Sequence, residues 1–279
     1  MTQSRAAPLA LRTLRLALAC LALAAASGCA TVPGAAPPNP ADPWEAFNRK
    51  VFVFNEAVDE AVLKPVATAY RDVVPELVRT GIGNVLGNIG DVWSAANLLL
   101  QGKVHSGLDM GMRVLANTFF GLGGLLDPAT EMGLTRRSED FGQTLGRWGL
   151  GPGPYLVLPL LGPSNVRDGS ALLVDRQASP STLGKTDAAT YGIAALEVIN
   201  LRAGLLGASK LLDDVALDKY SFLRQAYLSR RLDLVHDGAP PLEAFEDEPA
   251  DPAAPAPAPA PGAAPTLAPQ PALPKPPPR

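Results

Sequence analysis

The chain has 279 residues with 24 basic and 27 acidic side chains, a formal net charge of −3 and a 47% hydrophobic share. That balance provides no electropositive footprint for nucleic acid. With two cysteines (Cys20, Cys29) and two histidines (His105, His236) far apart, no zinc set or disulfide framework has a usable spacing, and no Gly-x-Ser-x-Gly elbow marks a serine hydrolase.

Arg5, Arg12 and Arg15 precede an apolar run over 16–26 that is too short to span a bilayer, and Ser27 and Gly28 lead into Cys29. This resembles a bacterial lipoprotein signal. Residues 1–28 are expected to be cleaved away and Cys29 to carry the lipid. Cys20 leaves with the signal, so packing alone must hold the mature protein. Lipoproteins retained on the inner membrane usually have Asp after the lipidated cysteine; Ala30 stands there instead, which favours the periplasmic face of the outer membrane. Residues 29–41, rich in Pro, Gly and Ala, read as a tether.

Asp42-Pro43-Trp44-Glu45 starts a helix: Asp42 suits the cap, Pro43 the first position and Glu45 the third. Trp44, Phe47, Val51, Phe54, Val58 and Val62 then recur at helical spacing, and a stop is expected at Lys64-Pro65. Phe52 and Val53 broaden the apolar face, as burial on two sides or exposure to lipid would require, with core packing the commoner cause. A second helix begins near Pro75-Glu76, Asp91 caps a third that runs to Leu100, and 104–120 forms another. Gly83 with Gly87 and Gly107 with Gly111 allow close helix approach.

Residues 121–128 are too rich in glycine for a helix and too apolar for a solvated loop, so they form a bend whose leucines need an apolar partner. The run 151–163 carries four prolines and is neither a regular helix nor a central strand. Helices resume over 165–177, 187–206 and 218–235. Arg224, Arg230 and Arg231 make the last one basic on its outside, a solvated face that lipid phosphates could also meet. His105 and His236 read as surface or helix-end residues. Residues 179–186 imitate a phosphate-binding loop, but Ser179 replaces the first glycine and a helical pattern precedes it. No mature segment has about 18 consecutive apolar residues. Residues 239–279 form a Pro/Ala-rich tail expected to be disordered.

Three stretches are then specific: Asp42-Pro43-Trp44-Glu45-Ala46-Phe47-Asn48-Arg49; Asn117-Thr118-Phe119-Phe120-Gly121-Leu122-Gly123-Gly124-Leu125-Leu126-Asp127; and Asp140-Phe141-Gly142-Gln143-Thr144-Leu145-Gly146-Arg147-Trp148-Gly149, running on through Gly153-Pro154-Tyr155 to Ser164. In order and spacing they resemble the MlaA (VacJ) family of outer-membrane lipoproteins, over roughly residues 41–238. Ala46 stands where the family often has Gly, and the Pro/Ala tail is not a family hallmark.

The resemblance implies an all-α protein: a single ring-like domain over 42–238, built of amphipathic helices with a short irregular Gly/Pro-rich hairpin region. It also implies a seat in the inner leaflet of the outer membrane, an amphipathic channel, and partnership with phospholipid, a trimeric porin and a soluble periplasmic lipid carrier of the Mla system. The implied task is removal of misplaced phospholipid from the outer leaflet, with no enzyme activity, cofactor or metal. Phe47 and Asn48 are expected where the first helix meets the channel, since an aromatic anchor beside an amide can set the helix in the leaflet; the alternative is Phe47 in the core and Asn48 in solvent. Leu122, Leu125, Leu126, Tyr155, Leu156 and Leu158 are the expected membrane contacts. A membrane-anchored phospholipid hydrolase and a structural envelope tether are the rival classes, and neither has a use for the apolar Gly/Pro segments.

Overall fold

A computed structural model describes residues 39–241. The expected signal peptide, Cys29 and most of the tether and tail lie outside the described residues. Helix α1 (Glu45–Val58) passes through a π turn (Asp59–Leu63) into α2 (Lys64–Val73) with helical dihedrals at both junctions. The stop expected at Lys64-Pro65 does not occur. Lys64 N–H donates to the Asp59 carbonyl five residues back, so Pro65 falls at the start of a new register, where a missing amide costs least. Asp42 is not a cap either: α1 begins without a side-chain cap, because the Asp42 carboxylate is taken by groups distant in sequence.

Helices α3 (Glu76–Leu100) and α4 (Val104–Phe119) pack along each other as a hairpin. A Cβ at Gly107 would lie 2.7 Å from Leu99 Cδ2, so the close approach expected of that glycine is real. Asp91 does not cap a separate helix; it sits in the middle of α3, buried against arginines. A bend leads to the single turn α5 (Pro128–Glu131), capped by Asp127, and then to α6 (Phe141–Arg147), capped by Asp140. Strands β1 (Tyr155–Leu158) and β2 (Gly162–Asn165) pair antiparallel, Tyr155 opposite Asn165 and Leu158 opposite Gly162. This hairpin is the only sheet among the described residues, so an all-α class with a Gly/Pro-rich hairpin is the observed architecture.

Asn165 caps α7 (Val166–Asp175), two 3₁₀ turns follow, and Thr186 caps α8 (Asp187–Val215), nine residues longer than the pattern over 187–206 indicates. The phosphate-loop imitation at 179–186 therefore lies between two helices. The last helix, α9 (Lys219–Val235), packs on α6, and α8 packs on α2. An aromatic cluster joins the ends of the domain: Tyr155 meets Tyr220 and Tyr227 edge-on at 6.2 and 6.0 Å, and Phe52 meets Tyr220 at 5.7 Å.

Candidate lipid-facing surface and its buried polar anchors

Asn48 is fully buried, one turn into α1. Its amide nitrogen donates to Asp42 Oδ1 at 2.8 Å and to the Tyr155 carbonyl at 3.1 Å, and its oxygen accepts from Val157 N–H at 2.9 Å. Two turns later Asn55 repeats the grip, donating to the Leu158 carbonyl and accepting from Leu160 N–H. Seven residues apart on one helix face, the two amides hold the free edge of β1. The other Asp42 oxygen accepts from Tyr220 Oη and from Arg224, and Arg49 forks onto Asp218, so α1 and α9 are clasped together.

These positions correct several expectations. Asn48 is neither solvated nor at a surface, and Phe47 is outside the core, 54% exposed. Tyr155 cannot contact lipid from this position, being 1% exposed; burial, and then the nearby Asp42 charge, push its phenol up to about 12. Leu156 and Leu158 are half-buried, whereas Leu122, Leu125 and Leu126 stand exposed. Arg224 and Arg231 do not make an outer basic face, since both turn inward onto carboxylates.

Polar and apolar groups are placed inside out relative to a water-soluble fold. Buried positions include Asp42, Asn48, Asp91, Asn97, Arg113, Asn117, Asn165, Arg167 and Arg224. Exposed ones include Phe47, Phe54, Val62, Leu108, Phe119 and Phe120, and they continue along α8 through Tyr191, Leu201, Leu211 and Val215. Among the described residues α8 alone is long and apolar enough to cross a membrane by length and composition, and only 11% of its most apolar stretch is buried. Exposed apolar side chains in such number along a helix suit a surface that meets an apolar partner.

Two ionic clusters fix the interior. Arg113 of α4 donates to Thr130 Oγ1 at 3.0 Å, to the Leu134 carbonyl at 2.8 Å and to Asp127, and it faces Asp91, which Arg136 also pairs. Arg231 of α9 bridges Asp140 at 2.6 Å and Asp168 at 2.7 Å, and Tyr227 Oη also donates to Asp168. Burial pushes both carboxyls upward, but Arg231, with Gln143 at Asp140 and Arg167 and Tyr227 at Asp168, holds them below the ordinary carboxylate range. Beside this cluster lies a cavity of ≈ 220 Å³ with Leu158, Leu161, Pro163 and Leu172 as its apolar wall. An open groove along the π turn and α2 carries Glu60, Lys64, Thr68 and Asp72, four residues apart in turn.

His105 is an exposed partner of Asp109, and His236 ends α9 with Nδ1 on the Leu232 carbonyl. Neither faces a serine that either could activate in the contacts it makes. Among the described residues no group of three or more His, Cys, Asp or Glu is placed to hold a metal.

A mainly helical domain with buried ion pairs and many exposed apolar side chains belongs to the class of proteins whose surface suits apolar surroundings. The family model described as MlaA lipoprotein matches residues 40–233. The chain belongs to the MlaA lipoprotein family. An uncharacterized protein of Rickettsia conorii is 35% identical over 186 residues, spanning 66% of this chain and 74% of that one. The Escherichia coli (strain K12) protein called intermembrane phospholipid transport system lipoprotein MlaA is 34% identical over 246 residues, 84% of this chain and 96% of that one. A solved structure described as the structural basis for maintenance of bacterial outer membrane lipid asymmetry is 36% identical, with a TM-score of 0.62 over 70% of this chain and 98% of that one.

Proposed function

We propose that this protein is a phospholipid-transport lipoprotein of the outer membrane. It is anchored through Cys29 at the periplasmic face, takes mislocalised phospholipid from the outer leaflet with a trimeric porin beside it, and passes it to a soluble periplasmic carrier. The observation that carries this reading is the inside-out placement of polar and apolar side chains in a chain of the MlaA lipoprotein family. Catalysis is not needed. Exposing about 30 methylenes of a two-chain lipid to water costs on the order of 20 kcal/mol at ~0.8 kcal/mol each. A polar path lowers that barrier by letting the headgroup cross while the chains stay in hydrocarbon.

The test compares a null strain with its parent and the purified protein with vesicles. The null strain is expected to accumulate outer-leaflet phospholipid and become detergent-sensitive, while the purified protein releases neither fatty acid nor lysophospholipid. Steady lipid cleavage by the purified protein would favour the hydrolase instead.

Within this reading the start of α1 sets how the helix meets the channel. Removing Phe47 and Asn48 together turns every later α1 side chain by about 200° at 3.6 residues per turn and strips Tyr155 and Val157 of their clamp. A strain expressing the deletion at normal abundance beside the native protein is expected to show dominantly worsened lipid asymmetry. A low-abundance, recessive loss would reduce the pair to a folding role.

A further inference from the structure

The π turn between α1 and α2 sorts the faces of the helix that follows it. Each residue advances an α-helix by about 100°, so the one extra residue in Asp59–Leu63 holds everything after it back by about that angle. In the register observed, Val66 and Val73 continue the exposed apolar side of Phe47 and Phe54. Without the extra residue Thr68 and Asp72 would fall there instead.

Helix α2 therefore has three faces. Ala67 is buried, and Tyr70 Oη donates to Asn200 of α8 at 3.0 Å. Val66 and Val73 are 43% and 80% exposed. Glu60, Lys64, Thr68 and Asp72 line the open groove of ≈ 510 Å³, and the short side chains of Pro65 and Ala69 form its edge toward the valines.

The charges in this groove are left largely unused. An acid four residues ahead of a base ordinarily pairs with it on a helix, as Glu45 does with Arg49 at 2.7 Å. Glu60 and Lys64 have the same spacing, yet among the described residues they form no ion pair. Lys64 is within electrostatic reach of Asp213, but Lys219 already pairs that carboxylate at 2.5 Å. Asp72 meets its neighbour Arg71 at 3.4 Å, with both side chains in the open.

One cation between two anions suits a zwitterion. At 1.5 Å per residue Lys64 stands about 6 Å along the helix from Glu60 and about 12 Å from Asp72. Ethanolamine phosphate carries an anionic phosphate for Lys64 and, two carbons away, an ammonium that can donate to Glu60 or Asp72. A glycerol headgroup brings the same phosphate without the cation, and both carboxylates then face a net negative charge.

We propose that the groove along the π turn and α2 is a headgroup track that favours phosphatidylethanolamine over phosphatidylglycerol, with Lys64 on the phosphate and Glu60 or Asp72 on the ammonium. This rests on the reading of the protein as a phospholipid transporter and names the headgroup it prefers. The test places a benzophenone-bearing phenylalanine at position 68, in the groove, or at position 66, on the apolar face. Each full chain is reconstituted in vesicles of equimolar phosphatidylethanolamine and phosphatidylglycerol, and the lipids captured on irradiation are identified by mass. Unchanged helicity establishes that each variant is folded. The ratio of phosphatidylethanolamine to phosphatidylglycerol captured at 68 is expected to exceed the ratio at 66 by about two- to fivefold, the weight of one exposed ion pair. With Glu60→Lys and Asp72→Lys together, three lysines line the groove and the excess is expected to pass to phosphatidylglycerol. Equal ratios at the two positions, an excess of phosphatidylglycerol at 68, or a preference indifferent to the charge reversal would overturn the headgroup selection and leave the transporter standing. Capture at 66 without capture at 68 would overturn the groove as a track. Capture at neither position would count against phospholipid transport itself.

Discussion

Arg231→Ala is expected to lower the thermal unfolding midpoint by about 6–20 °C at neutral pH, followed by circular dichroism on the micelle-bound protein. Truncating one partner of a buried ion pair leaves an uncompensated buried charge at about 3–5 kcal/mol, and each kcal/mol corresponds to about 2–4 °C in a domain of this size. The guanidinium serves two carboxylates at once, and Asp168 is the more deeply buried of them. The loss should depend on pH. Asp140 and Asp168 are held low in the folded state, so folding favours their ionised forms. The stabilisation is complete above the unfolded value near 3.9 and fades as pH falls through the folded values. Without Arg231, Asp140 loses its strongest lowering partner and Asp168 keeps only Arg167 and Tyr227, so the folded carboxyls move up toward the unfolded value. The gap between variant and native midpoints is therefore expected to narrow from pH 6 to pH 3, and a gap independent of pH would show that Arg231 contributes by packing alone.

Arg113→Ala is expected to cost a similar amount, about 3–5 kcal/mol, because Asp91 and Asp127 lose a cation in a site that water hardly reaches. Its distinguishing result is local. Arg113 reaches Asp127, Thr130 and the Leu134 carbonyl, so amide exchange should accelerate most over 121–134 while α8 keeps its protection. Arg113→Lys should recover little of the loss, since an ammonium cannot reproduce a planar fork with several fixed acceptors. Uniform acceleration across the domain would count against a local tether.

Helical spacing and Gly/Pro punctuation made most of the helices legible in the sequence, and the long motifs around Phe47, Leu122 and Tyr155 pointed to the family. The direction each helix face points was not legible. Periodicity finds two faces, and which of them is buried depends on the surrounding solvent. Arg224 and Arg231 looked like a solvated stripe, and Trp44, Phe47, Phe54 and Val62 like a core stripe, because the pattern was judged against water. Asp91 looked like a cap for a related reason: an acid after a glycine is a good helix start, and its partners Arg113 and Arg136 lie 22 and 45 residues away. Pro65 misled locally, since a π turn leaves no mark that spacing can detect. The grip of Asn48 and Asn55 on β1 had one available sign, two amides seven residues apart on an otherwise apolar helix.

The clasp between α1 and α9 has a consequence for how the chain is made. Asp42 finds Tyr220 and Arg224 only 178 and 182 residues later, and Arg49 finds Asp218 169 residues on. Closing loops of that length is slow, because their entropy is offset only after the distant segment exists. The clasp on α1 is thus completed last, and Asp42 must wait, without its buried cation, until nearly the whole domain has emerged. Damage is therefore transmitted between opposite ends of the sequence: a chain that stops before Asp218 keeps the grip of Asn48 and Asn55 on β1 but loses the partners of Asp42 and Arg49.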